Sequence, residues 1–221
     1  MTTPFPLLRL PRIALIPVFQ QMESIDVIAF SLISKKAQNV SKIFCKFSSR
    51  NVHLTVKSDH LYICVSFEMW RQMGLKYYFN TENIPNLVNA MTQKRTFTHK
   101  NSGLTASQWV ERVLDVTNCE SIGQLDLKGS PQVDVCDTFA TIQNIRKLYI
   151  FKECPNIFAK KSLEILSSVS SEITLFKIPF DCREEFQTFL KNNLNYLNIF
   201  TNTFQTFKFN LEDLMVTNAL K

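Results

Sequence analysis

Four short segments with strand-like alternation recur at a nearly fixed interval in the second half of the chain. Their first apolar core residues are Leu125, Leu148, Ile173 and Leu197, which lie 23, 25 and 24 positions apart. Within each segment apolar residues alternate with other residues, as they do along a half-buried strand. A period of this length is typical of a leucine-rich-repeat-like solenoid. Such arrays bind partners through an extended surface, so the period favours a recognition protein over an enzyme.

The stretches between these segments carry helix signals. Thr105 and Gln108 have the spacing of a capping box, and Trp109 follows on the face expected to be buried. Further helices are predicted near residues 133–143, 157–169, 183–192 and 211–216. The second half is therefore predicted to alternate helices and strands.

The end of the chain falls at a defined point of the repeat. Leu220 lies 23 positions after Leu197, where a fifth strand would begin. Because a solenoid normally closes with a polar capping unit, we expect the repeat array to be incomplete at its C-terminal side.

The first 47 residues are predicted to form three helices. Leu10-Pro11 marks the start of the first helix, in which Ile13, Ile16 and Phe19 fall near helical spacing. Pro17 lies inside this helix and is expected to kink it. Ser24 and Ser34 are the predicted caps of the second and third helices, respectively.

From about residue 50 the sequence becomes rich in residues that favour β-strands. Asn51–Val56 and Leu61–Phe67 read as two strands, and residues 58–60 between them suit a hairpin turn. Leu75–Phe79 is predicted as a further strand, and residues 80–104 as a loop-rich region. A β-hairpin region thus separates the helices from the repeats.

Composition argues against several classes of partner. The net charge is +6, but the basic residues are scattered rather than clustered, so nucleic acid is an unlikely partner. No run reaches the ~20 apolar residues of a membrane helix, and no signal peptide is evident. The six cysteines include no Cys-x-x-Cys pair, and the three histidines are not spaced with them as metal ligands. We therefore expect reduced thiols in an intracellular protein, without a metal or cofactor.

Enzymatic motifs are also missing from the sequence. With only 4 glycines, the chain lacks a glycine-rich phosphate loop. Glu184 and Glu185 are adjacent on a predicted helix, so their carboxylates do not face each other. No catalytic residues are predicted.

Two motifs near the N-terminus resemble the F-box. They are Phe-Pro-Leu-Leu-Arg-Leu-Pro at residues 5–11 and Ser-Leu-Ile-Ser-Lys-Lys-Ala at residues 31–37. Both are similar to the F-boxes of expanded nematode families, and residues 209–221 look like a segment of the type 2 F-box associated domain of those families. The resemblance implies an F-box at residues 1–48 and an associated domain, incomplete at its C-terminus, at residues 49–221. The implied fold is α+β or α/β: three helices, a β-hairpin region and an irregular leucine-rich-repeat-like β/α solenoid.

The resemblance also implies a function. An F-box binds the Skp adaptor, and through it a cullin, in an SCF-type cullin–RING ubiquitin ligase, while the associated domain holds a protein substrate and the chain itself catalyses nothing. The residues expected at the adaptor are Leu8, Leu10, Pro11, Ile16, Val18, Phe19, Leu32 and Ser34. Two alternatives are a protein-interaction scaffold with a vestigial F-box and a non-functional truncated paralogue.

Strand alternation predicts an aromatic row on the face opposite the core residues. Tyr149, Phe151, Phe176 and Phe200 should lie on this face. Because aromatic side chains concentrate in interfaces, the row is a predicted substrate-binding surface. The alternative is that the row is covered by another part of the chain or by the C-terminal piece that the incomplete repeat array is expected to lack.

Overall fold

The computed structural model describes residues 7–44, 49–67, 72–79, 87–91, 96–100, 104–131, 135, 142, 144–193 and 197–199. The helices within these residues are α1 (Arg12–Gln21), α2 (Ser24–Ser31), α3 (Lys35–Phe44), α4 (Ala106–Thr117), α5 (Asn156–Leu166) and α6 (Arg183–Asn193). The strands are β1 (Ser49–Val56), β2 (His60–Phe67), β3 (Gln72–Tyr78), β4 (Leu87–Met91), β5 (Thr96–Lys100), β6 (Ile122–Leu127), β7 (Ile145–Ile150), β8 (Ser170–Leu175) and β9 (Leu197–Ile199).

The three N-terminal helices begin close to the predicted positions. Pro11 is the residue before α1, and Pro17 lies inside that helix. Ser34 caps α3, because the backbone N–H of Ala37 donates to Ser34 Oγ at 3.1 Å. The prediction for Ser24 is wrong: Ser24 is the first residue of α2, and the residue before it, Glu23, makes no side-chain cap.

All nine of these strands form one mixed sheet in the order β5-β4-β3-β2-β1-β6-β7-β8-β9. Strands β1 to β5 are an antiparallel meander, which confirms the predicted hairpin between β1 and β2. Strands β1, β6, β7, β8 and β9 run parallel. The hairpin and the repeats were predicted as successive regions, but β1 pairs directly with β6 and joins them in one sheet.

Residues 80–104 are not wholly loop-rich, as the sequence suggested, because they contain β4 and β5. Strand β4 pairs with the free side of β3, and β5 pairs in turn with β4. Backbone pairing with an existing sheet edge organises a segment whose side-chain pattern is weak, so tertiary context overrides local propensity there.

The repeat period is confirmed as strand register. Leu125 pairs with Leu148, Leu148 with Ile173, and Ile173 with Leu197. Helices α5 and α6 provide the crossovers between β7, β8 and β9 that parallel pairing requires. The leucine-rich-repeat-like solenoid stays an interpretation of this parallel segment. The helix predicted near 133–143 falls largely outside the described residues, as do the short helix near 211–216 and the strand expected at Leu220.

One face of the sheet is buried under helices and forms the main core. Helix α4 presents Trp109, Val110, Val113 and Val116 to it. The predicted capping box of α4 is confirmed: Gln108 N–H donates to Thr105 Oγ1 at 3.2 Å and Thr105 N–H donates to Gln108 Oε1 at 3.0 Å. The opposite face carries the more polar half of the alternation, including Gln124, Asp126 and Tyr149.

The register predicts opposite effects for two neighbouring substitutions. Leu175 is fully buried in the core, whereas Phe176, the next residue, is partly exposed. Leu175→Ser removes a buried side chain and inserts a hydroxyl, so we expect it to lower the free energy of unfolding by about 3 kcal/mol or more. Phe176→Ser should cost about 1 kcal/mol. Urea unfolding followed by circular dichroism measures both values, and equal losses would contradict the register.

Candidate functional site

The N-terminal helices have a small core of their own. Leu15, Phe19 and Val27 are buried in it, with Phe30 packed alongside. The rings of Phe19 and Phe30 meet edge to face with centroids 5.4 Å apart. This core fixes the mutual arrangement of α1, α2 and α3.

The same helices expose large apolar side chains. Ile13 is 83% exposed and Ile16 is 39% exposed, and they lie three residues apart on one side of α1. Helical spacing grouped Ile13 with Phe19, yet Phe19 turns inward and Ile13 outward. Ile33 and Ile43 are also exposed. Neighbouring exposed aliphatic side chains, such as Ile13 and Ile16 on α1, are typical of a partner-binding surface.

The residues predicted to contact an adaptor occupy three kinds of environment. Pro11 and Ile16 are exposed, and Leu8, Leu10 and Val18 are partly exposed. Phe19 and Leu32 are buried inside the chain. Ser34 is occupied as the cap of α3. The structure therefore separates residues that can touch a partner from residues that hold the helices in place.

Helix α4 joins the N-terminal helices to the sheet. Asp115 accepts a hydrogen bond from Gln38 Nε2 at 2.6 Å and pairs with the Lys42 ammonium. Arg112 Nη1 donates to the Leu32 carbonyl oxygen at 3.1 Å. On the apolar side, Ile28 and Leu32 belong to the main core that also contains Trp109. The expected boundary between residues 48 and 49 is therefore bridged by packing as well as by hydrogen bonds.

A second candidate site lies where the parallel strands end. Val56, Leu127, Ile150 and Leu175 are partners across β1, β6, β7 and β8. The residues that follow them are Lys57, Lys128, Phe151 and Phe176, which we call the strand-end row. The backbone N–H groups of the last three donate to the carbonyls of Val56, Leu127 and Ile150 at 2.9, 3.0 and 2.9 Å. The row thus crosses four strands in register.

The aromatic part of the row is a stack, as the alternation predicted. The rings of Phe151 and Phe176 lie 4.8 Å apart at an interplanar angle of 20°. Tyr149 lies 6.3 Å from Phe176 and 6.4 Å from Phe151. Side chains of all three are partly exposed. Phe200, the fourth predicted member, lies outside the described residues.

The basic part of the row borders a cavity of about 530 Å³. Its lining comes from the ends of three neighbouring strands and comprises Lys57, Ser58, Asp59, Lys128, Phe151 and Glu153. The Lys128 ammonium lies 4.4 Å from the centre of the Phe151 ring, a cation–π distance. Ligands of sheets with parallel strands commonly bind at these carboxyl ends.

Neighbouring groups control the charge around this cavity. Buried Asp126 accepts from Gln124 Nε2 at 2.8 Å and pairs with the Lys128 ammonium at 3.1 Å. Burial lowers the pKa of His60 and so favours the neutral imidazole, although an Asp59 carboxylate oxygen lies 2.7 Å from its Nδ1. The local charge at pH 7 therefore comes from the lysines and carboxylates.

The described cysteines do not form disulfides. They are Cys64, Cys119, Cys154 and Cys182. Burial raises the pKa of Cys154 to about 12, which keeps this thiol protonated and a poor nucleophile at pH 7. Within the described ranges, His, Cys, Asp and Glu side chains do not assemble in groups of three or more that could hold a metal ion. A helix long and apolar enough to cross a membrane is likewise not found in that part of the chain.

Comparison with known families identifies the N-terminal unit. The F-box domain model matches residues 7–49, which contain α1, α2 and α3. This match supports an F-box protein, and F-box domains bind Skp-type adaptors in SCF complexes. Searches of curated proteins and of solved structures gave no match. Nematode origin and the associated domain therefore rest on the sequence resemblance alone.

The Asp115 contacts predict a measurable stabilisation of the junction between the F-box helices and α4. Asp115→Ala removes a hydrogen bond and an ion pair, so we expect a loss of about 1–2 kcal/mol in the free energy of unfolding. Glu111→Ala is the matched control, because Glu111 is an exposed acid on the same helix. Urea unfolding compares the two variants. Equal midpoints for both would show that the Asp115 contacts do not stabilise the junction.

Proposed function

We propose that this chain is the substrate-recognition subunit of an SCF-type cullin–RING ubiquitin ligase. The observation that carries the proposal is the F-box match at residues 7–49 together with the exposed isoleucines of the same unit. A Skp-type adaptor would cover these side chains and connect the chain to a cullin. The chemistry of ubiquitin transfer would then come from other subunits.

The adaptor surface in this proposal is centred on the start of α1. Leu8, Leu10, Pro11, Ile16 and Val18 contact the adaptor together with Ile13. Phe19, Leu32 and Ser34 act indirectly, because two are buried and the third caps α3. Complete burial of a side chain as exposed as Ile13 against the adaptor would contribute about 1.5–3 kcal/mol to the free energy of binding.

The substrate surface in this proposal is the aromatic part of the strand-end row with Tyr149. Support comes from the partial exposure and stacking of these rings. Residues 49–221 would then act as a type 2 F-box associated domain with repeat-like parallel strands. Because α4 packs against both units, the substrate would be held at a fixed orientation to the adaptor.

Adaptor co-purification tests the proposal directly. Ile13→Asp combined with Ile16→Asp places two charges on the exposed surface of α1 and should abolish co-purification with the Skp adaptor from cells. Ile157→Asp is the control, since Ile157 is 85% exposed on α5, far from the F-box in sequence. Both proteins should keep the urea midpoint of the unmodified chain.

If the variant with Ile13→Asp and Ile16→Asp still binds the adaptor, the adaptor does not contact this surface of α1. An unmodified chain that does not co-purify with the adaptor would favour the scaffold with a vestigial F-box. Loss of binding in both variants would indicate an effect of added charge rather than of the α1 surface.

A further inference from the structure

We propose that the strand-end row binds an extended protein segment in which an acidic residue lies about three positions from a large apolar residue. The inference rests on the proposed function, because it names the class of substrate for the same surface. Its basis is the order of side chains along the row: lysine, lysine, phenylalanine and phenylalanine on four adjacent strands. A cationic half and an aromatic half therefore lie side by side.

The cationic half can take one carboxylate. Lys57 is exposed, and the ion pairs formed among the described residues do not include it, although its charge acts on nearby Asp59. Lys128 already pairs with Asp126 at 3.1 Å and lies against Phe151. Asp59 and Glu153 also line the cavity, so its lining is not positive overall. The exposed Lys57 ammonium is nevertheless a donor that a ligand carboxylate can meet with charge-assisted hydrogen bonds.

The aromatic half can take an apolar side chain. Phe151 and Phe176 present a stacked pair beside Tyr149, and all three keep part of their surface accessible. Aromatic side chains that are held rigidly lose little conformational entropy on binding, so they serve as interface anchors. A leucine, phenylalanine or similar side chain of the ligand fits this half.

Strand spacing sets the separation of the two ligand groups. Adjacent strands lie about 4.8 Å apart, so the midpoints of the lysine pair and the phenylalanine pair are about 10 Å apart. An extended peptide advances about 3.3 Å per residue, which corresponds to about three residues. The ligand would cross the strand ends rather than add a strand to the sheet.

The acidic lining of the cavity favours a peptide over a nucleic acid. Asp59 and Glu153 line the cavity together with the two lysines. These carboxylates would repel a nucleic acid, whose backbone carries a negative charge on every nucleotide. A peptide of the proposed kind brings only one acidic side chain and several backbone N–H donors. A ligand with a single negative charge therefore matches the site better than a polyanion.

A displayed library of random heptapeptides, selected on the full chain, tests this specificity. Selected peptides should share Asp or Glu about three positions from a large apolar residue. A synthetic fluorescent copy of the most enriched sequence should bind Lys57→Glu about tenfold or more weakly than the unmodified chain. Lys35→Glu is the control, because Lys35 is exposed on α3 and gives the same change in net charge. A peptide in which lysine replaces the acidic residue should bind the Lys57→Glu variant more tightly than the original peptide does, because the charges are again opposite.

A second variant tests the lysines without introducing a new negative charge. Lys57→Gln with Lys128→Gln removes both cations without adding an acid beside Asp126, and should also weaken binding. Equal urea midpoints would show that the variants fold.

The possible failures are distinct. If Phe176→Ser abolishes binding but Lys57→Glu and the Gln variant do not, the aromatic surface holds a ligand and the acidic specificity is wrong. If none of these variants changes binding, both the specificity and the substrate role of the row are wrong. Tight binding of a fluorescent oligothymidylate that Lys57→Glu abolishes, without enriched acidic peptides, would overturn the inference in favour of a nucleic acid.

Discussion

Burial of helix α4 on two sides is the constraint on which the rest of the structure depends. Trp109, Val110 and Val113 cover the apolar face of the sheet, while Arg112 and Asp115 reach the F-box helices. A three-helix unit of about 40 residues has too little core to be stable easily on its own. By packing Ile28 and Leu32 into the main core, the chain makes the F-box part of a larger folded unit.

The parallel register is the second organising feature. It aligns residues that recur every 23–25 positions in the sequence, so that they lie side by side across the sheet. Because β1 joins the repeat strands directly, the residue after each strand falls in one row across the sheet. The helix-covered face supplies the main core of the sheet, and the strand-end row lies outside that core. Adaptor binding at α1 and substrate binding at the strand ends would then lie on one connected framework.

Local patterns predicted the parts of the fold that depend on nearby residues. The capping box at Thr105, the first hairpin and the 23–25-residue register all follow from alternation or spacing readable in the sequence. Features that depend on distant residues were missed. Lys57 enters the strand-end row only through the pairing of Val56 with Leu127, and Asp115 meets Gln38 across 77 positions. Helical spacing grouped Ile13 with Phe19, and periodicity alone did not show that Phe19 is buried while Ile13 is exposed.

Hydrogen–deuterium exchange through a urea series, read by mass spectrometry, tests most directly whether the F-box helices and the sheet share one cooperative core. A shared core built on α4 predicts that peptides from α2 and α3 lose protection at the same urea concentration as peptides from β6. Loss of protection in α2 and α3 at clearly lower urea, while β6 stays protected, would show two separately folding units and contradict the connected framework.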